Sequence, residues 1–236
     1  MFKEDKIIFK KYEAIFFDLF HTLTSVEVSK APGKYTHEIL GISQSVWNDR
    51  FLNGADDFLL GKTRGPLKSY RKIVHSINPS ISDKTIREAG LTRRKRFAYA
   101  LRHIEAETLQ GLKDLKELGL KLGLISNAGY EEIKAWEKSP LVSLFDTAVF
   151  SCCVGLKKPD PEIFRLAARL LQVRPEKSLF VGDGGSDEHT GAKKAGMTTV
   201  LLTRHLEVIQ PEKISSLTAK TDFQVRHVRD ILKLLD

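Results

Sequence analysis

Short apolar runs of strand length, separated by helix-like segments, are the feature that most constrains the fold of this chain. Five such runs occur along its 236 residues, at 14–17, 120–125, 148–150, 179–181 and 199–202. Their near-continuous apolar character is typical of strands that are covered by helices on both faces. The sequence therefore predicts an α/β fold in which a parallel sheet is sandwiched between helices.

The alternation of strands and helices is missing between residues 25 and 104. This stretch contains only helix-like segments, "SQSVWNDRFLNGADDFLLG", "PLKSYRKIVHSI" and "SDKTIREAGLTRRKRFAYALRHI". About eighty residues are too many for an ordinary connection between two parallel strands. We therefore predict a core domain of residues 1–24 and 105–236, with an all-helical domain of residues 25–104 inserted at the carboxyl ends of the strands.

Composition limits the possible partners. The net charge of +8 and the basic run Leu91–Arg102 suggest nucleic acid. However, helical spacing places Phe97, Ala98 and Leu101 of that run on one face, which predicts a solvated face for its arginines. No apolar stretch approaches the roughly 18 residues that span a bilayer. We expect a soluble, cytoplasmic monomer or homodimer that binds neither nucleic acid nor membranes, and whose basic charge favours an anionic small substrate.

Polar residues follow four of the apolar runs. Asp18 comes after "AIFF", Ser126 and Asn127 end the run "LKLGLISN", Lys158 lies in "VGLKKPDP", and Asp183 and Asp187 lie in "LFVGDGGSDEHTGAKKAG". Each of these residues alone is also compatible with an ordinary turn or a surface charge. Because an open α/β sheet binds its ligands at the carboxyl ends of its strands, the set together predicts one site there.

The segments "FFDLFHTL", "LISNA", "GLKKPDPEIF" and "VGDGGSDEHTGAKKAG" resemble, in this order, the four motifs of the haloacid dehalogenase superfamily of hydrolases. The resemblance covers essentially the whole chain. It implies a Rossmann-like core, and the helical insertion corresponds to the cap that many members carry between the first and second motifs. It also implies hydrolysis of a small anionic phosphorylated metabolite with Mg²⁺ as the cofactor.

The resemblance further assigns roles to residues. Asp18 would be the nucleophile and would form an aspartyl-phosphate, because a covalent intermediate divides one difficult step into two easier ones. Asp18, Asp183, Asp187 and the main-chain carbonyl of Phe20 would hold Mg²⁺ through hard oxygen ligands. Phosphoryl oxygens would be bound by Thr22, Ser126 and the main-chain N–H of Asn127, while Lys158 neutralises charge. Lys157 is the neighbouring alternative, but the family's lysine directly precedes the proline.

Two positions in the motifs favour different activities. Most phosphatases of this family have a second aspartate at the position of Phe20, where it protonates the leaving group, whereas the family's dehalogenases have an aromatic residue there. At the position of Asp183 those metal-independent dehalogenases have a neutral residue. We therefore expect a Mg²⁺-dependent phosphatase, with a metal-independent 2-haloacid dehalogenase or a catalytically weak ligand-binding or regulatory protein as alternatives. Without an acid at Phe20, substrates with good leaving groups are favoured.

Three further features carry weaker expectations. Lys62 and Arg64 lie in a predicted loop of the cap, where they are either solvated or able to contact an anionic group. His21 is a possible proton donor. Cys152 and Cys153 follow an apolar run and are expected to be small buried residues without a disulfide.

Overall fold

A computed structural model describes residues 11–235, and its centre is one six-stranded sheet. The strand order is β3-β2-β1-β4-β5-β6, and all neighbouring strands are parallel. This arrangement confirms the predicted α/β fold. The strands are β1 (Ala14–Phe17), β2 (Lys121–Ser126), β3 (Thr147–Phe150), β4 (Ser178–Gly182), β5 (Thr198–Leu202) and β6 (Phe223–Val225).

Both faces of the sheet are covered. Every residue of β1 and β4 is buried. Side chains alternate between the faces, so that Ile15 and Phe17 pack in one apolar cluster while Ala14 and Phe16 pack in the other. Burial on both faces is the physical reason that these strands are continuously apolar in the sequence.

The helices of the core lie on the two faces of this sheet. α6 (Ala106–Glu117) contributes to the cluster that contains Ile15, whereas α9 (Pro161–Leu171) and α10 (Glu188–Ala195) contribute to the other. The remaining core helices are α7 (Tyr130–Ile133), α8 (Ser151–Val154), α11 (Leu206–Ile209) and α12 (Ile214–Thr218). Short 3₁₀ helices span Trp136–Lys138, Pro175–Lys177, Gly185–Asp187, Pro211–Lys213 and Val228–Leu234.

A helical insertion lies between β1 and β2, which confirms the predicted cap. It comprises α1 (Thr36–Leu40), α2 (Gln44–Gly54), α3 (Asp56–Leu59), α4 (Lys68–Ile77) and α5 (Asp83–Arg102). The insertion has its own apolar cluster, in which Trp47, Phe58 and Tyr70 pack together. The domain boundaries after residues 24 and 104 stay predictions. Among residues 11–235, no helix combines the length and apolar character required to cross a membrane.

Three arginines in the basic run of α5 do not form the solvated face that the sequence predicts. Arg93 pairs with Glu132, and Arg94 pairs with Glu131, which both lie in α7 of the core. Arg96 is buried and donates a hydrogen bond to the carbonyl of Ala31. The prediction of a solvated face is wrong for these three arginines, because acceptors that are distant in the sequence pack against α5. For Arg93 and Arg94 they are acids of the core, and for Arg96 the acceptor is a carbonyl of the cap segment itself.

Two further local predictions differ from the structure. β6 was not predicted, because it has only three residues and an exposed glutamine, Gln224, at its centre. Cys152 and Cys153 lie in the helical turn α8, where Cys152 is buried but Cys153 is exposed, and both are free thiols. A helical turn presents consecutive residues in different directions, so that only Cys152 meets the apolar core.

Candidate active site

The candidate site lies at the carboxyl ends of three adjacent strands. β1 pairs with β2 on one side and with β4 on the other, so the residues that end these strands are neighbours. Asp18 follows β1, and its N–H donates to the Val181 carbonyl at 2.9 Å. Ser126 ends β2, and Asp183 follows β4.

Lys158 lies between two carboxylates. Its Nζ is 2.5 Å from Oδ1 of Asp18 and 2.5 Å from Oε2 of Glu188. All three residues are almost completely buried. Charge-assisted hydrogen bonds of this kind, in a place from which water is excluded, hold the ammonium group in a fixed position beside Asp18.

Asp183 completes a group of three carboxylates. One carboxylate oxygen from each of Asp18, Asp183 and Glu188 lies within 4.8 Å of the others. The Gly185 N–H donates to Oδ1 of Asp183 at 3.1 Å, and the Gly184 N–H donates to Oε1 of Glu188 at 2.9 Å. These contacts orient the carboxylates but leave the cluster with more acidic groups than Lys158 can neutralise.

The pKa values of these groups report the same excess of negative charge. Burial raises the pKa of Asp183, and the nearby Asp18 raises it further. Burial likewise raises the pKa of Glu188 well above its usual value, although Lys158 opposes this effect. Burial alone would lower the pKa of Lys158, but Asp18 and Glu188 outweigh it, so that the pKa is raised and the lysine stays charged.

Three hard oxygen donors around one point suit a divalent cation such as Mg²⁺. A dication would favour the ionised form of all three carboxylates, because it supplies the positive charge that the cluster lacks. The donor set of Asp18, Asp183 and Glu188 therefore fits the magnesium ion expected from the sequence.

Asp187 is not part of this cluster. Its carboxylate is about half exposed, accepts a hydrogen bond from Thr190 at 3.0 Å and lies 3.7 Å from Nζ of Lys220. The predicted contact of Asp187 with a metal stays a prediction, and its neighbour Glu188 is the third carboxylate of the cluster. The physical reason is that α10 begins at Glu188 and turns this residue inward.

A signal for Glu188 was present in the sequence. Glu188, Ala192 and Ala195 are spaced by four and three residues, and they are all buried on the inner face of α10. Helical periodicity thus places Glu188 on the same face as residues that pack against the sheet, whereas Asp187 precedes the helix. The two adjacent acids can be distinguished only when the first residue of the helix is known.

Two buried hydroxyl groups, those of Thr22 and Ser126, belong to residues near the strand ends of the site. The Thr22 Oγ1 donates to Oδ2 of Asp18 at 2.8 Å. The Ser126 Oγ is buried and has no hydrogen-bond partner among residues 11–235. Because a buried hydroxyl without a partner is costly, Ser126 is ready to bind a polar group of a ligand.

Asn127 has a positioning contact that the sequence did not predict. Its amide nitrogen donates to the Lys158 carbonyl at 2.9 Å, and the Lys158 N–H donates to its Oδ1 at 2.8 Å. The side chain of Asn127 therefore holds the main chain that carries Lys158. Its predicted main-chain contact with a phosphoryl group stays a prediction.

Gly182 is required for the close approach of Glu188. A Cβ atom at this position would lie 2.0 Å from Oε1 of Glu188. Any larger residue would therefore displace the carboxylate from Lys158 and from the Gly184 N–H. This contact gives Gly182 a role in the geometry of the site.

The side chain of Phe20 packs at the junction with the cap. Its ring makes an edge-to-face contact with Phe97 of α5, with ring centroids 4.8 Å apart. The next residue, His21, has a positive φ of 66°, and its Nδ1 lies 3.5 Å from Oε2 of Glu27. The predicted contact of the Phe20 carbonyl with a metal stays a prediction.

The other predicted residues of the cap lie at its edge. Lys62 is exposed and pairs with Asp57 at 3.4 Å. Arg64 lies over the ring of Tyr130 in the core and donates to its hydroxyl at 2.7 Å. Lys157 pairs with Asp56 of the cap at 2.5 Å, whereas Lys158 contacts Asp18.

The parallel sheet between helices, the helical cap and the buried aspartate–lysine pair beside further acids at the strand ends define the class of protein as a capped, Rossmann-like enzyme. The family model for haloacid dehalogenase-like hydrolases matches residues 12–196. The chain therefore belongs to this family.

Individual proteins resemble this chain over different lengths. A glyceraldehyde 3-phosphate phosphatase of Methanopyrus kandleri is 32% identical over 144 residues, which are 59% of this chain and 59% of that protein. This chain thus spans about 59% of the length of that curated relative.

Two solved structures share the fold. An L-2-haloacid dehalogenase from Xanthobacter autotrophicus has a TM-score of 0.64 at 20% identity, with 94% of this chain and 98% of that chain covered. A HAD family enzyme from Bacteroides thetaiotaomicron, in complex with magnesium and inorganic phosphate, has a TM-score of 0.57 at 17% identity. The match covers 81% of this chain and 94% of that one.

Proposed function

We propose that this protein is a Mg²⁺-dependent phosphohydrolase that acts on a small phosphorylated metabolite through an aspartyl-phosphate. The observation that carries the proposal is the convergence of Asp18, Asp183 and Glu188 around one point beside Lys158. The similarity to a glyceraldehyde 3-phosphate phosphatase supports the same class of substrate. The resemblance to the solved dehalogenase structure is a resemblance of the fold.

Asp18 performs the covalent step. One carboxylate oxygen forms a bond to phosphorus while the bond from phosphorus to the leaving oxygen breaks, and the product is an acyl phosphate on Asp18. Water then attacks that phosphorus, the bond to the Asp18 oxygen breaks, and inorganic phosphate leaves. Lys158, which is held by Glu188, neutralises negative charge on the phosphoryl group during both steps.

The hydroxyls and the metal assist this chemistry. Thr22 lies beside Asp18, and the Ser126 hydroxyl has no partner in the described chain, so that both can donate to phosphoryl oxygens. Asp18, Asp183 and Glu188, together with the main-chain carbonyl of Phe20, would hold the Mg²⁺ ion. When bound, the ion supplies the charge neutralisation that lets two anions approach each other.

Phe20 limits the substrate range. It can neither protonate the leaving oxygen nor activate water, and its ring is engaged with Phe97. Loss of general acid and base catalysis typically costs about 10²- to 10⁴-fold in rate. We therefore expect acyl, aryl or anhydride phosphates to be better substrates than alkyl phosphates.

The test is phosphate release from a panel of acyl, aryl, anhydride and alkyl phosphates, with Mg²⁺ and with excess chelator. We expect activity that requires Mg²⁺ and favours good leaving groups. Lys158→Met should abolish it, whereas Lys157→Met is the matched control because Lys157 pairs with the cap residue Asp56. Equal rates in chelator would refute the metal role.

A metal-independent 2-haloacid dehalogenase is the second candidate, and Phe20 is the observation that favours it. Asp18 would then displace halide from carbon, and halide needs no proton in order to leave. Chloride release from 2-chloropropionate in the presence of chelator would establish this activity. Its absence, together with Mg²⁺-dependent phosphate release, would eliminate it.

A further inference from the structure

A basic cavity lies apart from the acidic cluster, at the junction of cap and core. Its volume is about 520 Å³, and neither Asp18 nor Lys158 lines it. Five cationic side chains lie around it, from Arg94, Lys95, Arg102, Lys134 and Lys138. We refer to these five residues and the space between them as the basic cavity. The functions considered above do not use it.

The two walls of the basic cavity come from different parts of the fold. Lys95 and Arg102 are seven residues apart on α5, so that they lie two turns apart on one face of this cap helix. Lys134 and Lys138 are four residues apart in the core segment that follows α7. These two short basic rows are about forty residues apart in the sequence. Tertiary packing brings them together.

Few acids of the described chain neutralise the charge of the basic cavity, and four of its five cations are exposed to solvent. Arg94 pairs with Glu131, but Lys95, Arg102, Lys134 and Lys138 form no ion pair within residues 11–235. No residue that lines the cavity is acidic. Clustered like charges repel each other and produce a local positive potential, which an anion would relieve.

The lining between the charges is apolar. It consists of Pro32, Ala98, Ala135 and the ring of Tyr99, which stacks on His103 with centroids 3.8 Å apart. The combination of several cations with an apolar surface suits a ligand that has both anionic groups and an uncharged organic part. The basic cavity is an open depression between exposed cations, and its volume is large enough for a small organic molecule.

We propose that the basic cavity is a second ligand site, which binds an organic polyphosphate of about mononucleotide size. The phosphates contact the cationic walls, and the organic part packs on Ala98 and Ala135. Because one wall belongs to the cap and the other to the core, the bound ligand links the two. A compact cluster of charge favours such a molecule over a nucleic-acid strand, which is bound along an extended basic groove.

Binding of adenylyl imidodiphosphate, a hydrolysis-resistant organic polyphosphate, tests this proposal. Isothermal titration calorimetry in chelator measures its affinity for the wild-type protein and for two double variants, Lys95→Glu with Arg102→Glu, and Lys134→Glu with Lys138→Glu. The matched control is Lys84→Glu with Lys113→Glu, which makes the same change of charge at exposed lysines outside the cavity.

We expect each wall variant to weaken binding at least about tenfold and the control to weaken it less than about twofold. The wall variants should keep the wild-type rate of phosphate release, since none of these residues contacts Asp18. Hydrogen exchange should show that the ligand protects both α5 and the segment 134–138. Inorganic tripolyphosphate should bind more weakly, because it lacks the organic part.

Several results would overturn the proposal. No binding at millimolar concentration would do so, as would equal losses in the wall and control variants, which would indicate a non-specific effect of net charge. Equal affinity for tripolyphosphate would refute the role of the apolar lining. Tighter binding of a single-stranded oligonucleotide, with a steep dependence on salt, would instead identify a nucleic-acid surface. None of these outcomes depends on the proposed phosphatase activity.

Discussion

Replacement of the adjacent acids Asp187 and Glu188 by their amides distinguishes the two candidates for the third carboxylate of the site. Glu188→Gln keeps the shape of the side chain, and its Oε1 can still accept from the Gly184 N–H. However, the amide nitrogen would face Nζ of Lys158, where Oε2 now accepts at 2.5 Å. Asp187→Asn changes only a half-exposed carboxylate with contacts to Thr190 and Lys220.

The expected magnitudes follow from this difference in environment. A buried charge-assisted hydrogen bond contributes about 1.5–3 kcal/mol, and loss of a metal-binding carboxylate adds to this. At about 1.4 kcal/mol per factor of ten, Glu188→Gln should lower kcat/KM by about 10²- to 10³-fold. An exposed ion pair contributes about 0–1 kcal/mol, so that Asp187→Asn should lower it less than about fivefold.

The assay is hydrolysis of an aryl phosphate across a titration of Mg²⁺, with circular dichroism to confirm that both variants are folded. Glu188→Gln should also require a higher Mg²⁺ concentration for half-maximal activity, because the neutral amide oxygen that replaces the carboxylate attracts the cation less strongly. A larger loss for Asp187→Asn than for Glu188→Gln would refute the assignment of Glu188 to the site. Equal and small losses would refute the proposed metal site itself.

Three other expectations can be measured. Ser126→Ala should lower kcat/KM about tenfold without lowering the urea-unfolding free energy, because its buried hydroxyl has no partner in the described chain and its removal relieves a cost of about 1–3 kcal/mol; a large loss of stability would contradict this. Burial lowers the pKa of both His189 and His205 to about 4 from an ordinary 6.5. The unfolded chain therefore binds more protons, and stability should fall by about 1.5 kcal/mol per histidine between pH 6.5 and pH 5; a total fall below about 1 kcal/mol in urea titrations would contradict it. Arg93→Met leaves Glu132 buried without its partner and should destabilise the protein by about 3–5 kcal/mol, which thermal and urea unfolding would detect.

Phe20, the second residue after the proposed nucleophile Asp18, has a structural role at the contact between cap and core. Its ring packs on Phe97 and is part of the apolar contact between cap and core. A residue that joins the two domains cannot at the same time act as an acid at the leaving group. The restricted leaving-group range that we propose is therefore linked to the way in which the cap is attached.

The basic run of α5 has one structural role and one proposed role. Arg93 and Arg94 pair with acids of α7, and the Gly65 N–H donates to Oε1 of Glu131 at 2.9 Å. These buried contacts connect the cap to the core on one side of the junction. Lys95 and Arg102 lie on the same helix without such partners within residues 11–235, and we assign them to the basic cavity.

The sequence alone determined the fold class, the helical insertion and the strand ends at which Asp18, Ser126 and Asp183 lie. It could do so because apolar runs and helical periods are local properties, and the carboxyl ends of adjacent parallel strands must meet at one edge of the sheet. The motif resemblance named Lys158 rather than Lys157, and Lys158 is the lysine whose Nζ contacts Asp18.

Only the tertiary structure decided the features that depend on the direction of single side chains across long separations. It places Glu188, rather than Asp187, beside Lys158, because the first residue of α10 determines which acid turns inward. It also joins the basic rows of the cap and the core into one cavity. Helical periodicity shows which residues share a face of a helix. Only packing between distant segments determines which residues contact that face.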